Sequence, residues 1–314
     1  MYRRCFPSGL LIAILIFGVG CNRGDRHKKL IAIVVPSQDN PYFKVEADAA
    51  AARAISLGYR VRIDAHDDDA YRQDNLIDAA IASNASALIL DNAGSDASIT
   101  AVRRAANAGI AVFLIDREIE ANGIAKAQII SDNSQGAKLV AAEFVRAVGQ
   151  SGEYAELLGR ESDTNAQIRT VGFHAVLDKY PELKRVSAQS ANWSQSEAFQ
   201  KTETMLQAHS KIVGILAGND TMALGAAAAA KSAGIRGLRI VGFDGSPDAV
   251  DAIRAGQLEA TTLQPAVVIS QLAVDEADAF LKTGSTGKQE RQVIPCDLVT
   301  KANADNYRNF EKVR

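Results

Sequence analysis

"IAIVVPSQDNPYF" (residues 31–43) predicts a buried strand that leads through a polar junction into a helix. Its first five residues are apolar without alternation, as in a strand covered on both faces. Pro41 suits the first turn of a helix, where its missing N–H costs nothing. An alanine-rich helix is then predicted to about Leu57. Two aromatic residues, Tyr42 and Phe43, therefore stand at the carboxyl end of a buried strand, beside amides and acids.

The rest of the chain repeats this alternation of short apolar strands and amphipathic helices. Strands are predicted at 30–35, 60–65, 87–90, 111–115, 153–158, 185–189, 212–216, 238–243 and 258–262. The helices between them carry apolar residues at i, i+3 and i+4. Such alternation implies parallel sheets with helices on both faces. We therefore predict an α/β fold with two similar, doubly wound parallel-sheet lobes.

Composition limits the classes of function. A length of 314 residues is enough for two domains, and 47% hydrophobic residues support packed cores. The formal net charge of −2 gives no indication of a nucleic-acid partner. Of the cysteines, Cys5 and Cys21 lie in a predicted leader, which leaves Cys296 alone. We therefore predict neither a disulfide nor a metal site that uses a thiol.

The N-terminus has the pattern of an export signal. A basic start precedes an apolar run from Leu10 to Val19, which is too short to span a membrane. Small residues that end at a cysteine resemble a lipobox, although Gly18 stands where a lipobox usually has leucine. We predict a signal peptide over 1–21 with lipidation at Cys21, followed by a polar tether over 22–29. The alternatives are cleavage by ordinary signal peptidase and an uncleaved anchor.

The carboxyl ends of the predicted strands concentrate polar and aromatic side chains. Ligands bind at this edge of such sheets. The candidate residues there, or in the helix that follows, are Ser37, Asn40, Tyr42, Phe43, Asp91, Asp116, Arg117, Arg169, Trp193, Asn219, Asp244 and Gln264. Carboxylates, amides and arginine suit the hydroxyls of a sugar, and aromatic rings cover its C–H faces. We predict a sugar site in which Tyr42 and Phe43 face Trp193.

Several of these residues also have structural interpretations. These are helix capping for Asn40, a turn for Asp244, a surface ion pair for Asp116 with Arg117, and core packing for Trp193. Asp220 is interpreted as the N-cap of its helix or as a hinge-side contact. The run "HDDD" (66–69) is interpreted as a solvated turn before a helix, because consecutive residues seldom converge on one metal ion.

Several motifs carry a resemblance to a known family. "NPYF", "LIDRE", "ISDN", "AGNDTMALGA", "VGFDGSPDAV" and "DLVTKANADNY", between Leu30 and Tyr307, resemble type I periplasmic binding proteins of the ribose and galactose class. The resemblance implies two lobes joined by a three-segment hinge, which close on a monosaccharide and deliver it to an ABC importer. The implied N-terminal lobe is 30–131 plus 264–292, and the C-terminal lobe is 132–263 plus 293–314.

By position within these motifs, the resemblance assigns sugar contacts to every candidate above except Ser37. Asp91 stands where the ribose-binding pattern has asparagine, and Pro36 stands where it has serine. An acid in place of an amide removes donors, so the hydroxyl that meets Asp91 must donate. This weakens the case for ribose and leaves other pentoses and hexoses.

Four functions compete at this point. The first is a lipid-anchored sugar receptor whose partners are an ABC permease and its ATPase. The second is the same binding module serving a chemoreceptor or a membrane sensor kinase. A sugar-responsive repressor is disfavoured, because the eight polar residues between Cys21 and the first strand leave no room for a helix-turn-helix. A glycosidase that uses Asp91 and Asp116 is disfavoured by the absence of hydrolase motifs. We predict a monomeric, exported binding protein without a cofactor, held in the periplasm or at the cell surface.

Overall fold

The computed structural model describes residues 28–313. The predicted signal peptide, Cys21 and most of the tether therefore lie outside the described residues. Within 28–313 the chain forms two six-stranded sheets with helices on both faces, and a short hairpin near the C-terminus. No helix among these residues is both long and apolar enough to cross a bilayer.

Residues 30–131 build most of the first lobe. The elements are β1 (Leu30–Val35), α1 (Pro41–Ser56), β2 (Arg60–Ala65), α2 (Ala70–Ala82), β3 (Ala87–Leu90), α3 (Ser95–Asn107), β4 (Ala111–Ile115) and β5 (Ala127–Ser131). The strands pair in parallel in the order β5-β4-β3-β1-β2. Every residue of β1, β3, β4 and β5 is buried, which explains the continuous apolar sequences of β1, β3 and β4.

Residues 133–263 build the second lobe on the same plan. The elements are α4 (Asn133–Val148), β6 (Gly152–Leu158), α5 (Thr164–Leu177), β7 (Leu183–Ser190), α6 (Gln195–Ala208), β8 (Ile212–Ala217), α7 (Asp220–Ser232), β9 (Arg239–Val241), α8 (Pro247–Arg254) and β10 (Ala260–Leu263). Their strand order is β10-β9-β8-β6-β7, again parallel. The carboxyl ends of these strands face those of the first lobe across a cleft.

The last part of the chain returns to the first lobe and then to the second. Helix α9 (Ala266–Thr283) packs on the first sheet, and β11 (Arg291–Ile294) extends it beside β5. Strand β12 (Asp297–Thr300) then pairs antiparallel with β10. A 3-10 turn (Ala304–Asn306) leads into the hairpin β13 (Tyr307–Arg308) and β14 (Glu311–Lys312).

Within the described residues the chain thus passes between the lobes three times, after β5, after β10 and after β11. The predicted boundary between residues 292 and 293 falls inside β11. Val293 and Ile294 pair with Ile130 and Ser131 of β5, so they belong to the first sheet. The third passage therefore lies between Ile294 and Asp297.

Candidate functional site

A cavity of about 250 Å³ lies between the lobes, at the carboxyl ends of both sets of strands. Its described lining residues are Asn40, Tyr42, Phe43, Asp116, Arg117, Asp163, Asn165, Arg169, Trp193, Asn219, Asp244 and Gln264. Ten of these twelve are candidates from the sequence. Asp163 and Asn165 are additions, whereas the candidates Ser37 and Asp91 do not line the cavity.

The start of α1 supplies the aromatic wall of the first lobe. Asn40 caps this helix by accepting a hydrogen bond from the Tyr42 backbone N–H at 3.0 Å. It also lines the cavity, so capping and a site role coexist in one residue. Tyr42 and Phe43 are buried and meet edge to face, with their ring centroids 5.7 Å apart. Phe310, near the C-terminus, packs edge to face on Tyr42 from behind, with a centroid separation of 5.8 Å.

Asp116 follows β4 directly and is turned into the cleft by an unusual backbone. Its φ of 57° lies in the left-handed region, which a non-glycine residue seldom adopts. The Tyr42 hydroxyl donates to its Oδ1 at 3.2 Å. Burial raises the pKa of Asp116, although the charge of Arg117 opposes this. Both side chains are buried, so the alternative of a surface ion pair is wrong.

The Arg117 guanidinium is the centre of charge in the site. Its Nη1 donates to Asp68 at 2.7 Å, and its Nε lies 2.9 Å from Asp163, 3.4 Å from Asp91 and 3.8 Å from Asp116. Burial alone would lower the pKa of Arg117, but these carboxylates together raise it well above its ordinary value. Because Asp163 belongs to the second lobe, this buried ion pair joins the two lobes.

The N-cap and the first turn of α5 bring Asp163 and Asn165 to the cavity. Asp163 caps α5 through the backbone N–H of Asn165, at 2.9 Å, and accepts from the Trp193 indole N–H at 3.1 Å. The side-chain amide of Asn165 donates across the cleft to the Asp116 carbonyl at 3.3 Å. Both residues follow the carboxyl end of β6. The expectation that ligand groups follow the strands could therefore have identified them from the sequence. In this segment the sequence analysis predicts a site role only for Arg169.

Arg169, Asp244 and Gln264 form the polar wall of the second lobe. The Arg169 guanidinium lies over the Phe243 ring, 4.0 Å from its centroid, and 3.4 Å from Asp244 Oδ1. The Gln264 amide donates to the same oxygen at 2.9 Å. Gln264 Oε1 is buried without a hydrogen-bond partner among the described residues. Burial also raises the pKa of Asp244 well above its ordinary value. The wall thus offers acceptors that suit a ligand with hydrogens to donate.

At the start of α7, Asn219 takes the capping role expected of Asp220 and also lines the cavity. Asn219 is the N-cap, since its side chain accepts from the Met222 backbone N–H at 2.9 Å. Asp220 is fully buried one residue later and accepts from the Thr261 hydroxyl at 2.5 Å and the Ser246 N–H at 2.7 Å. The expectation of an N-cap at Asp220 is therefore wrong. Its burial raises its pKa to about 7.

Ser37 and Asp91 occupy positions outside the cavity. Ser37 lines an outer groove beside the cavity, where its Oγ accepts from the Asp39 N–H at 3.3 Å. Asp91 is fully buried in the first lobe, on the far side of Arg117. The candidate Asp91 thus supports Arg117 instead of lining the cavity. Its position after a strand indicates the edge of the sheet, but it does not indicate how deeply the side chain is buried.

The "HDDD" run forms a turn that is only partly solvated. Its last residue, Asp69, caps α2 through the N–H groups of Tyr71 and Arg72. His66 is buried, accepts from the Asp68 N–H at Nδ1 and therefore donates from Nε2 to the Asp91 carbonyl at 2.8 Å. Burial lowers the pKa of His66 to about 4.

Asp68 is a second link between the lobes. While its Oδ1 holds Arg117, its Oδ2 lies 3.4 Å from Nε of Arg160 in the second lobe. Burial would raise the pKa of Asp68, but Arg117 and Arg160 outweigh it and lower the pKa. This carboxylate therefore remains charged at neutral pH and attracts an arginine from each lobe.

One group of carboxylates among the described residues has the spacing of a metal site. Oxygens of Glu46, Asp91 and Asp116 all lie within 4.8 Å of one another. Nε of Arg117 lies on the same side, close to both aspartates. A guanidinium thus already neutralises part of the charge of this group.

A cleft between two α/β lobes, lined by both, defines a two-lobe solute-binding protein. The family model described as "Periplasmic binding protein domain" matches residues 31–286, and the chain belongs to this family. The predicted fold class is therefore confirmed. Members of this family bind solutes and are not enzymes.

Curated relatives and solved structures agree with this assignment. The chain is 58% identical to the D-apiose import binding protein of Paraburkholderia graminis over 281 residues, which are 90% of each chain. It is 53% identical to the D-apiose import binding protein of Actinobacillus succinogenes, over 90% of this chain and 91% of the relative. An ABC transporter periplasmic solute binding protein from the latter organism, with bound D-allose, matches with a TM-score of 0.83 and 28% identity, over 89% of this chain and all of that one.

The position of Trp193 allows a test of the cavity wall. A Cβ on Gly159 would lie 2.0 Å from the indole ring, so Gly159→Ala must displace it. Because Trp193 is the only tryptophan, we expect its fluorescence emission to change in this variant. Glu161→Ala, at an exposed position of the same loop, is the control and should leave the emission unchanged. An unchanged spectrum in Gly159→Ala would contradict this packing.

Proposed function

We propose that the protein is an extracytoplasmic receptor that closes on one monosaccharide and delivers it to an ABC importer. The observation that carries the proposal is a cavity between the lobes that combines charged hydrogen-bonding side chains with aromatic rings. Hydrogen bonds to charged partners contribute about 1.5–3 kcal/mol each, so a few give micromolar affinity. The two import binding proteins that match the chain over 90% of its length favour an importer over a sensory client.

The polarity of the cavity and its aromatic walls favour a sugar ring. Asp116, Asp244 and the free Gln264 Oε1 accept from hydroxyls, while Arg117 and Arg169 donate to hydroxyl oxygens. Phe43 and Trp193 lie on opposite lobes and would cover the two faces of the ring.

We propose D-apiose as the preferred sugar. The support is the identity of more than half of all aligned residues with two proteins named for D-apiose import. D-Apiose is a branched pentose. It has as many hydroxyls as an unbranched pentose such as D-ribose, but they point in different directions. A cavity with acceptors on both lobes distinguishes such sugars by placement of hydroxyls and not by size.

A thermal-shift panel tests the choice of sugar. A ligand at 100 times its Kd stabilises the folded state by about 2.7 kcal/mol, which raises the melting temperature by several degrees. We expect this shift with D-apiose at the lowest concentration, and with D-ribose and D-allose only at higher ones. A larger response to another pentose, hexose or sugar alcohol would reject D-apiose. No response to any sugar would reject the proposed receptor.

Asp116→Ala tests the site itself. The substitution removes acceptors from a cavity that excludes water and leaves the Tyr42 hydroxyl without its partner, while Arg117 keeps Asp68 and Asp163. Such truncations cost about 2–5 kcal/mol, so calorimetry should show at least about a thirtyfold loss of sugar affinity. Asp48→Ala, on the exposed face of α1, is the control and should bind as the wild type does. Sugar affinity within a few-fold of wild type for Asp116→Ala would place the site elsewhere.

We further propose that Cys21 anchors the protein to the membrane, next to the permease and ATPase of its importer. The support is the sequence pattern alone, which resembles a lipobox. A lipoprotein cysteine carries more than one acyl chain, as stable attachment requires. The native protein should partition into detergent, and Cys21→Ser should release it or leave it unprocessed. Equal detergent partitioning of a processed Cys21→Ser protein would exclude the lipid anchor.

A further inference from the structure

Glu46 is a buried acid that the sugar site does not use. It lies on α1, one turn after Phe43, and is fully buried. Neither of its carboxylate oxygens has a hydrogen-bond partner among the described residues, and the same is true of Asp91. Oxygens of the two residues lie within 4.8 Å of each other. Two carboxylates this close and this dry cannot both be ionised without a large cost.

The surrounding charges make that cost larger. The titratable and charged groups that face this pair are Tyr42 on α1, His66 and Asp68 after β2, Asp116 and Arg117 after β4, and Asp163 before α5. His66 is neutral and donates to the backbone carbonyl of Asp91, so it supplies no charge. Arg117 is shared with three other aspartates and cannot balance two more charges. A single additional positive charge in this region would relieve the imbalance.

We propose that Glu46 and Asp91 share one proton, and that Glu46 is a positioning residue that orients Asp91 toward Arg117. As the protonated acid, Glu46 donates to one Asp91 oxygen and leaves the other as a carboxylate against the guanidinium. The pair then carries one negative charge, which matches one positive charge on Arg117. The orientation of Arg117 matters for ligand binding only because, in the proposed function, it donates to the sugar.

The electrostatics agree with this assignment. Burial raises the pKa of Glu46 well above its ordinary value, and the neighbouring Asp91 and Asp116 raise it further. Burial likewise raises the pKa of Asp91, against the attraction of Arg117. The titration belongs to the pair, because the residues share the proton. A raised carboxyl pKa means that the proton stabilises the folded form at low pH, and this contribution is lost as the pH rises through the raised value.

Infrared spectroscopy tests the proton without any sugar. At neutral pH, the wild-type spectrum minus the Glu46→Gln spectrum should contain the C=O stretch of a protonated carboxylic acid. Asp48→Asn, on the exposed face of the same helix, should give no such band in its own difference spectrum. Absence of the band in the Glu46→Gln difference would overturn the shared proton. This result does not depend on sugar binding, so it separates failure of this proposal from failure of the proposed function.

Sugar affinity as a function of pH tests the positioning role. Wild-type affinity should fall, by at most about tenfold per pH unit, as the pH rises through the pKa of the pair, because loss of the shared proton removes the hydrogen bond that orients Asp91 toward Arg117. Glu46→Leu removes the donor and should weaken binding by at least about tenfold at neutral pH. Glu46→Gln supplies a permanent donor, so it should recover most of that loss and should remove the alkaline fall.

Two results would overturn the positioning role. One is an alkaline fall in Glu46→Gln identical to that of the wild type, which would place the titrating group elsewhere. The other is one equivalent of Ca²⁺ or Mg²⁺ bound by the wild type in equilibrium dialysis and lost in Glu46→Gln. That result would make the Glu46, Asp91 and Asp116 carboxylates a cation site.

Discussion

The closed arrangement of this protein depends on one buried guanidinium. Arg117 faces carboxylates from both lobes, and Asp163 of the second lobe, 2.9 Å away, is the nearest to its Nε. A buried ion pair is worth little when both partners could instead be replaced by apolar groups, but breaking it by removing one partner is costly. Opening the cleft must return Arg117 and Asp163 to water together. In the proposed opening of the cleft, the lobes exchange this pair for hydration, which offsets part of the attraction that is lost.

The same guanidinium explains why the site suits a neutral ligand rich in hydroxyls. Acidic groups outnumber basic ones around the cavity, and burial raises the pKa of Asp116 and Asp244. An anionic ligand would add to the negative charge, and a cationic one would compete with Arg117 for its carboxylates. A polyol adds no charge and supplies hydrogens to acceptors such as Gln264 Oε1, which lacks a partner among the described residues. Charge balance thus favours neutral polyols as a class, while the placement of hydroxyls distinguishes one sugar from another.

Much of this arrangement could be predicted from the sequence because the fold is repetitive and its ligand edge is fixed by topology. Ten of the twelve predicted residues line the cavity within 28–313. The failures have common physical causes. Strands β5 and β11 were not predicted, since β11 pairs with a strand more than 150 residues earlier and local periodicity does not report such pairing. The depth of Asp91 and the contact of Phe310 with Tyr42 likewise arise only from tertiary packing.

Backbone strain is the remaining constraint, and three of the nine described non-glycine residues with a positive φ line the cavity. Asp116, Trp193 and Asp244 have φ values of 57°, 64° and 126°, in a region that non-glycine residues rarely adopt. Such conformations cost about 1–3 kcal/mol each and persist only where the surroundings hold them. Here the Tyr42 hydroxyl, the Asp163 carboxylate and the Gln264 amide hold the three side chains, one each. The interior of each lobe stabilises the fold, and part of that stability is spent on turning these side chains into the cleft before any ligand arrives.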